Sequence, residues 1–161
     1  MPIKMRIKGL VVDPISKMPI VVLQDPETDR LLPIWIGVFE ANAITLRIEN
    51  ITTPRPMTHD LMSNLLDRLS ITVDRVTINE IRNNTFYAVI SCRSRNGEIL
   101  IDSRPSDAIA LALRTDAPIF VEEGVIDRAH CLTLDPSLDN PENLCKWLET
   151  LQPEDFGKYR M

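Results

Sequence analysis

Apolar positions between residues 5 and 50 first alternate, then run solid, then recur at helical spacing, and the same succession returns between 72 and 117. Alternation predicts half-buried strands, and the helical recurrence predicts an amphipathic or buried helix. In the second stretch Val73, Val76 and Ile78, then Phe86, Ala88 and Ile90, flank Asn83-Asn84, a pair suited to the left-handed turn of a hairpin. Polar loops follow at 25–29 and 93–97. Third strands at 31–36 and 98–102 run straight into helices that begin near Val38 and Pro105, where proline suits the first helical position. Both helices are expected to be buried. Helix 105–115 is apolar on nearly every side except a stripe holding Asp107 and Arg114, seven residues apart and therefore on one face.

One ungapped offset relates the two stretches. At 67 residues, Glu40-Ala-Asn-Ala-Ile-Thr-Leu-Arg47 falls on Asp107-Ala-Ile-Ala-Leu-Ala-Leu-Arg114, Val22-Leu23 on Val89-Ile90, Ile34 on Ile101, and the turn-like Ser16-Lys17 on Asn83-Asn84. The expected fold is α+β: two intertwined β-β-β-α repeats, about 5–50 and 72–117, joined by a helix and followed by a C-terminal helical extension. Thr53-Pro-Arg-Pro-Met-Thr-His-Asp60 reads as a stiff linker feeding that joining helix at 59–69, with Thr58 as its N-cap and Leu61, Leu65, Leu66 and Leu69 as its core stripe. A short strand at 118–121, a turn at Gly124, and a helix capped by Asn140 and running to about Leu151 complete the elements. The domain is placed at 1–135 and an acidic C-terminal helix and tail at 136–161.

Charge changes the picture once it is divided along the chain. The whole sequence carries 18 Lys+Arg against 23 Asp+Glu, a net charge of −5, which argues against a protein that coats DNA. Residues 1–120 hold 14 basic and 14 acidic side chains, so the deficit belongs to 121–161. All eight basic residues between 54 and 120 are Arg, the side chain that pairs bidentately with carboxylate or phosphate. Cys92, Cys131 and Cys145 lack the paired short spacing of a zinc site and read as core thiols of a reducing compartment. No secretory leader pattern opens the chain and no apolar run approaches a membrane span, so a soluble, cytoplasmic protein with no membrane partner is expected.

With two histidines, His59 and His130, and no Gly-rich phosphate loop, His-Glu-x-x-His or Gly-x-Ser-x-Gly, catalytic triads and His-rich metal sites are nearly excluded. Carboxylate and Arg chemistry remains. Asp102-Ser-Arg-Pro-Ser-Asp107 sets two carboxylates, two hydroxyls and a guanidinium at a strand end and helix start, a corner able to bind an anion or, through Asp102 and Asp107, a hard divalent cation. The same residues also serve as plain helix caps and dipole partners, with Asp107 in a first turn and Arg114 in a last. Glu40 and Arg47 repeat that arrangement in the first half, and a pseudo-twofold would bring Glu40 near Asp107. His59-Asp60 offers a general base beside an acid, or a capping pair. Trp35 aligns with Asp102 at the 67-residue offset; the aromatic copy is expected to pack and the acid to be the candidate site residue.

Leu32-Pro-Ile-Trp-Ile-Gly37 with Glu40-Ala41, Arg55-Pro-Met-Thr-His-Asp-Leu61, Thr85-Phe-Tyr-Ala88 and Asp102-Ser-Arg-Pro-Ser-Asp-Ala-Ile-Ala-Leu-Ala112 together resemble the bifunctional nuclease domain family, over about 5–135. The resemblance implies an α+β fold of interleaved repeats, a homodimer, and cleavage of both DNA and RNA, an activity attributed chiefly to plant relatives that carry additional segments. It does not settle the catalytic residues. The polar positions that match the motifs are Glu40, His59, Asp60, Asp102, Arg104 and Asp107.

Two readings follow. In the first, Glu40, Asp102 and Asp107 hold Mg²⁺ or Mn²⁺ for hydrolysis of phosphodiester bonds in nucleic acid, Arg104 steadies the phosphate charge, and His59 or Asp60 moves protons, with little sequence specificity. In the second, the chain is a non-catalytic dimeric ligand-binding or protein-interaction module whose acid–Arg corners are structural. Convergence of Glu40, Asp102 and Asp107 in one open cleft separates the two.

Overall fold

Eight strands form one sheet among the described residues, which are 1–13, 17–129 and 132–133 of the computed structural model. Ser16, His130, Cys131, Cys145, the expected helix at 140–151 and the acidic tail lie outside the described residues. Strands β1 (Pro2–Val12), β2 (Pro19–Gln24) and β3 (Arg30–Trp35) make one antiparallel meander; β4 (Thr72–Arg82), β5 (Thr85–Ser94) and β6 (Gly97–Ser103) make another. Asn83 and Asn84, with φ of 50° and 58°, close the β4–β5 hairpin in the left-handed conformation that their short polar side chains tolerate. The mixed α+β class is as expected from the sequence.

The short strand expected at 118–121 is found at Ile119–Glu122 (β7), in the middle of the sheet rather than at its margin. It pairs antiparallel with β1 and parallel with β4, which joins the two meanders. Ile119 and Val121 are buried, and with a neighbour on each side β7 leaves no exposed row of backbone donors and acceptors. A two-residue β8 (Leu132–Thr133) lies beside β3, and β6 forms the opposite edge.

Helices α1 (Val38–Ile48) and α2 (Thr58–Arg68) each pack on α3 (Pro105–Thr115), with α3 against β4 and β5 and α1 against β2. Seven of the eleven residues of α3 are buried, most of them Ala, Ile or Leu, and its small Ala side chains let its neighbours approach closely. The expectation that α1 is equally buried is corrected. Ala41, Ala43 and Ile44 face the core, but Val38, Ile48 and Phe39 are exposed, the last at 88%.

Three further expectations change. The N-cap of α2 is Met57, not Thr58, because the Asp60 carboxylate folds back to accept the Met57 backbone N–H at 2.9 Å. Of the leucines expected in its core stripe only Leu66 packs against the core, together with Met62. Leu61, Leu65 and Leu69 are exposed because α2 turns its first-turn polar side, with buried His59, toward α3. Gly124 lies inside a short helix, α4 (Glu123–Arg128), which burial of Val125 and Ile126 anchors in place of the expected turn. Cys92 is a buried free thiol, its pKa raised by burial and by nearby Asp74. Trp35 packs half-buried and donates its indole N–H to Asp13 Oδ2 at 2.9 Å. Among the described residues no helix is long and apolar enough to cross a membrane.

Since α1, α2, β4 and β5 all pack on α3, truncating its largest fully enclosed side chain tests the packing. Ile109, with no exposed surface, is expected to cost about 2–5 kcal/mol as Ile109→Ala, read as a lowered urea midpoint with an unchanged slope.

Candidate active site

Three helices begin at one cleft, and each carries an acid at its third position: Glu40 in α1, Asp60 in α2 and Asp107 in α3. A carboxylate there faces the unpaired N–H groups of the first turn and the positive end of the helix dipole. Arg104 occupies the residue just before α3, held extended at φ −71° and ψ 145° by the proline that follows. Its guanidinium Nε donates to Asp107 Oδ2 at 2.8 Å and its Nη2 to Glu40 Oε1, also at 2.8 Å. From α2, His59 Nε2 meets the other Asp107 oxygen, Oδ1, at 2.9 Å. The result is a continuous chain, Glu40–Arg104–Asp107–His59, drawn from all three helices and opening on a cleft of about 780 Å³.

Gly37, just before α1, leaves room for the end of the Glu40 side chain. A Cβ at that position would run into Glu40 Oε2, which folds back over the start of its own helix. The signal available in the sequence is a glycine three positions before a first-turn acid; what it serves is visible only once the Glu40 carboxylate is placed.

Burial works against the Asp107 carboxylate, but hydrogen bonds from Arg104 and His59 outweigh it and hold its pKa below the ordinary 3.8. The same two carboxylates, Asp107 first and then Glu40, raise the Arg104 pKa. An ionised Asp107 can only accept, so His59 Nε2 is the donor in this bond, and Nδ1 is the ring nitrogen left for a second partner. The ring is 7% exposed and lines the cleft, so it is oriented and largely shielded from bulk water.

The six candidate residues therefore divide. Glu40, His59, Arg104 and Asp107 come together. Asp102 lines the same cleft from the end of β6 but makes no ion pair among the described residues. Asp60 does not join them. Adjacent residues of a helix point about 100° apart, and Asp60 faces the other side of α2, where its Oδ1 accepts from Arg114 Nε at 2.6 Å. Arg114, its side chain only 3% exposed, also donates to the backbone carbonyls of Ala110 and Ala43 at 2.9 and 3.0 Å.

The expected acid–Arg stripes within single helices are corrected here. Seven residues of helix rise about 10 Å, too far for Asp107 to pair with Arg114 or Glu40 with Arg47. Each partner is instead taken from a neighbouring element. The expected divalent-ion set is not assembled either: among the described residues no three His, Cys, Asp or Glu side chains gather as ligands, and Arg104 bridges Glu40 and Asp107. These residues do not fit a preformed Mg²⁺ or Mn²⁺ centre.

The Asp60 pKa is also lowered. Burial opposes this, and the Met57 N–H, then Arg114, more than compensate. A carboxylate whose folded pKa lies below its unfolded value adds stability that is present above the unfolded value and lost as pH falls through the folded one. Asp60→Asn is accordingly expected to lower stability by about 1.5–3 kcal/mol at neutral pH. Its urea midpoint should also fall less steeply than the wild type's between about pH 5 and pH 2.

A model of the bifunctional nuclease domain matches residues 21–133. An uncharacterised protein of Mycobacterium tuberculosis is 37% identical over 95% of this chain and 97% of its own length. Bifunctional nuclease 1 of Oryza sativa subsp. japonica is 28% identical over 66% of this chain and a third (33%) of its own, and bifunctional nuclease 2 of the same rice is 26% identical over 68% and 35%. With a fold and cleft built from the stretches that carry the match, the chain belongs to the bifunctional nuclease domain family.

Proposed function

We propose that the protein hydrolyses phosphodiester bonds in nucleic acid, DNA and RNA alike and with little regard to sequence, in the cleft between the starts of α1, α2 and α3. The observation that carries this reading is the Glu40–Arg104–Asp107–His59 chain, in a member of a family whose rice relatives are named bifunctional nucleases. His59 Nδ1 takes the proton of an attacking water, and Asp107 fixes the ring and balances its charge. Arg104, half exposed and tethered by Glu40 and Asp107, meets the charge that develops on the phosphoryl oxygens. The proton on His59 then passes to the leaving alkoxide as its bond to phosphorus breaks. Asp102 borders the cleft, where substrate would pass it, and Asp60 supports α2 rather than the chemistry.

His59→Ala, Asp107→Asn and Arg104→Ala are each expected to lower cleavage of single- and double-stranded DNA and RNA by about 10²–10⁴-fold. Assays run in chelator and with added Mg²⁺ or Mn²⁺ also test the divalent ion expected from the sequence. Full activity in all three variants would sink the reading and favour the non-catalytic module. Exposed Phe39, at the mouth of this cleft, is the observation that favours that second reading.

Two further expectations belong to the same proposal. The β-β-β-α segments are taken as copies of one unit, supported by α1 and α3 beginning 67 positions apart, at Val38 and Pro105. A homodimer is supported by the edge strand β6, which exposes Ile99, Leu100 and Ile101 beside unpaired backbone groups. Sedimentation velocity at micromolar concentration should give a dimer, and Leu100→Glu a monomer; a monomeric wild type would remove this part. The buried Cys92 thiol suits a reducing cytoplasm.

A further inference from the structure

On the far side of the first turn of α2 from His59 lies a second cleft, of about 420 Å³, walled by the end of α1, the 51–56 linker and α2. Its floor is the Arg114–Asp60 pair, whose charges cancel and whose guanidinium also donates to the Ala110 and Ala43 carbonyls. Two more guanidinium side chains line it, Arg47 and Arg55; neither makes an ion pair or side-chain hydrogen bond among the described residues, and Arg47 helps to lower the Asp60 pKa through its charge alone. Asp60 is the single acid in the lining, so the cleft carries an excess of two positive charges. Arg55 is not on a slack loop. It stands between Pro54 and Pro56, which restrict the backbone, and Thr53 Oγ1 donates to the Arg55 carbonyl at 2.7 Å. Arg47 sits in the last turn of α1, where the helix dipole alone accounts for one cation but not for two meeting across a cleft.

We infer that this cleft binds a phosphate group. Two unpaired guanidinium forks above a neutral floor suit a doubly or singly charged oxyanion, and the volume admits a phosphate with an attached sugar. The inference deepens the reading of a nucleic-acid hydrolase, on which the identity of the ligand rests. The two clefts share Leu46 and lie on either side of one helical turn, so a backbone phosphate held by Arg47 and Arg55 would belong to a nucleotide near the one presented to His59.

The test uses the full chain in chelator, so that binding is read apart from cleavage. In one arm a short fluorescent oligothymidylate is titrated by anisotropy over a range of salt; in the other, inorganic phosphate is added in a thermal-shift assay. Arg47→Ala/Arg55→Ala is expected to weaken oligonucleotide binding about tenfold or more and to flatten the salt dependence by about 0.7 in log–log slope, the value for one phosphate neutralised on a single strand. The Lys/Lys double variant should recover much of the slope. Loss confined to the inorganic phosphate arm would assign the cleft to free phosphate or a phosphate monoester rather than a strand. Equal binding by wild type and the Ala/Ala variant in both arms overturns the inference, as does no binding to the wild type in either. Neither residue makes an ion pair or side-chain hydrogen bond among the described residues, and Arg47 acts on Asp60 only through its field, so unchanged circular dichroism of the variant serves as the folding control. Full activity in the His59→Ala, Asp107→Asn and Arg104→Ala variants would remove the nuclease reading without touching these binding results.

Discussion

A single buried guanidinium fixes how the helices sit. Arg114 lies at the end of the most enclosed helix, and a charge in that position must be met by a counter-charge and acceptors. It finds the Asp60 carboxylate on α2, the Ala43 carbonyl on α1 and the Ala110 carbonyl on its own helix. One side chain thus ties three helices together above β4 and β5. Because Asp60 is drawn to Arg114, the residue before it, His59, is carried to the opposite side of the turn and reaches Asp107 two turns back along α3. The structural bridge and the candidate catalytic contact are two consequences of one docking of α2 on α3.

That docking explains why α2 shows its leucines to solvent. Leu61, Leu65 and Leu69 follow a helical spacing that on hydrophobicity alone belongs inside. The helix has two faces to satisfy, and pairing a buried His and a buried Arg leaves those leucines outside. The energetic weight of an unpaired buried charge exceeds that of burying one further leucine beside it, roughly several kcal/mol against about 2.

In the cleft that holds the site, Arg104 and His59 fix the directions of the Glu40 and Asp107 carboxylates, while Asp102 adds a third acid, so the lining is acidic on balance. The neighbouring cleft has the opposite sign, with Arg47, Arg55 and Arg114 against Asp60 alone. A chain with net charge −5 can therefore still offer a local anion site, since its excess acid lies largely beyond residue 120.

Much of the fold was legible from local chemistry. Asn83-Asn84 dictated a hairpin because, glycine apart, short polar side chains are the ones that accept two consecutive left-handed residues, and Pro105 marked the start of α3 because a missing N–H costs nothing there. His59, Arg104, Asp107 and Glu40 were recognisable as candidates from residue type and position in a first turn. The sequence by itself determined these elements, their order and their chemistry, since each depends on contacts within a few residues. Tertiary structure alone decided that β7 joins the two meanders, that Arg104 bridges two helices, and that His59 and Asp60 part company to serve Asp107 and Arg114. Those outcomes depend on which distant groups must share a buried charge, and neighbouring residues along the chain carry no record of that.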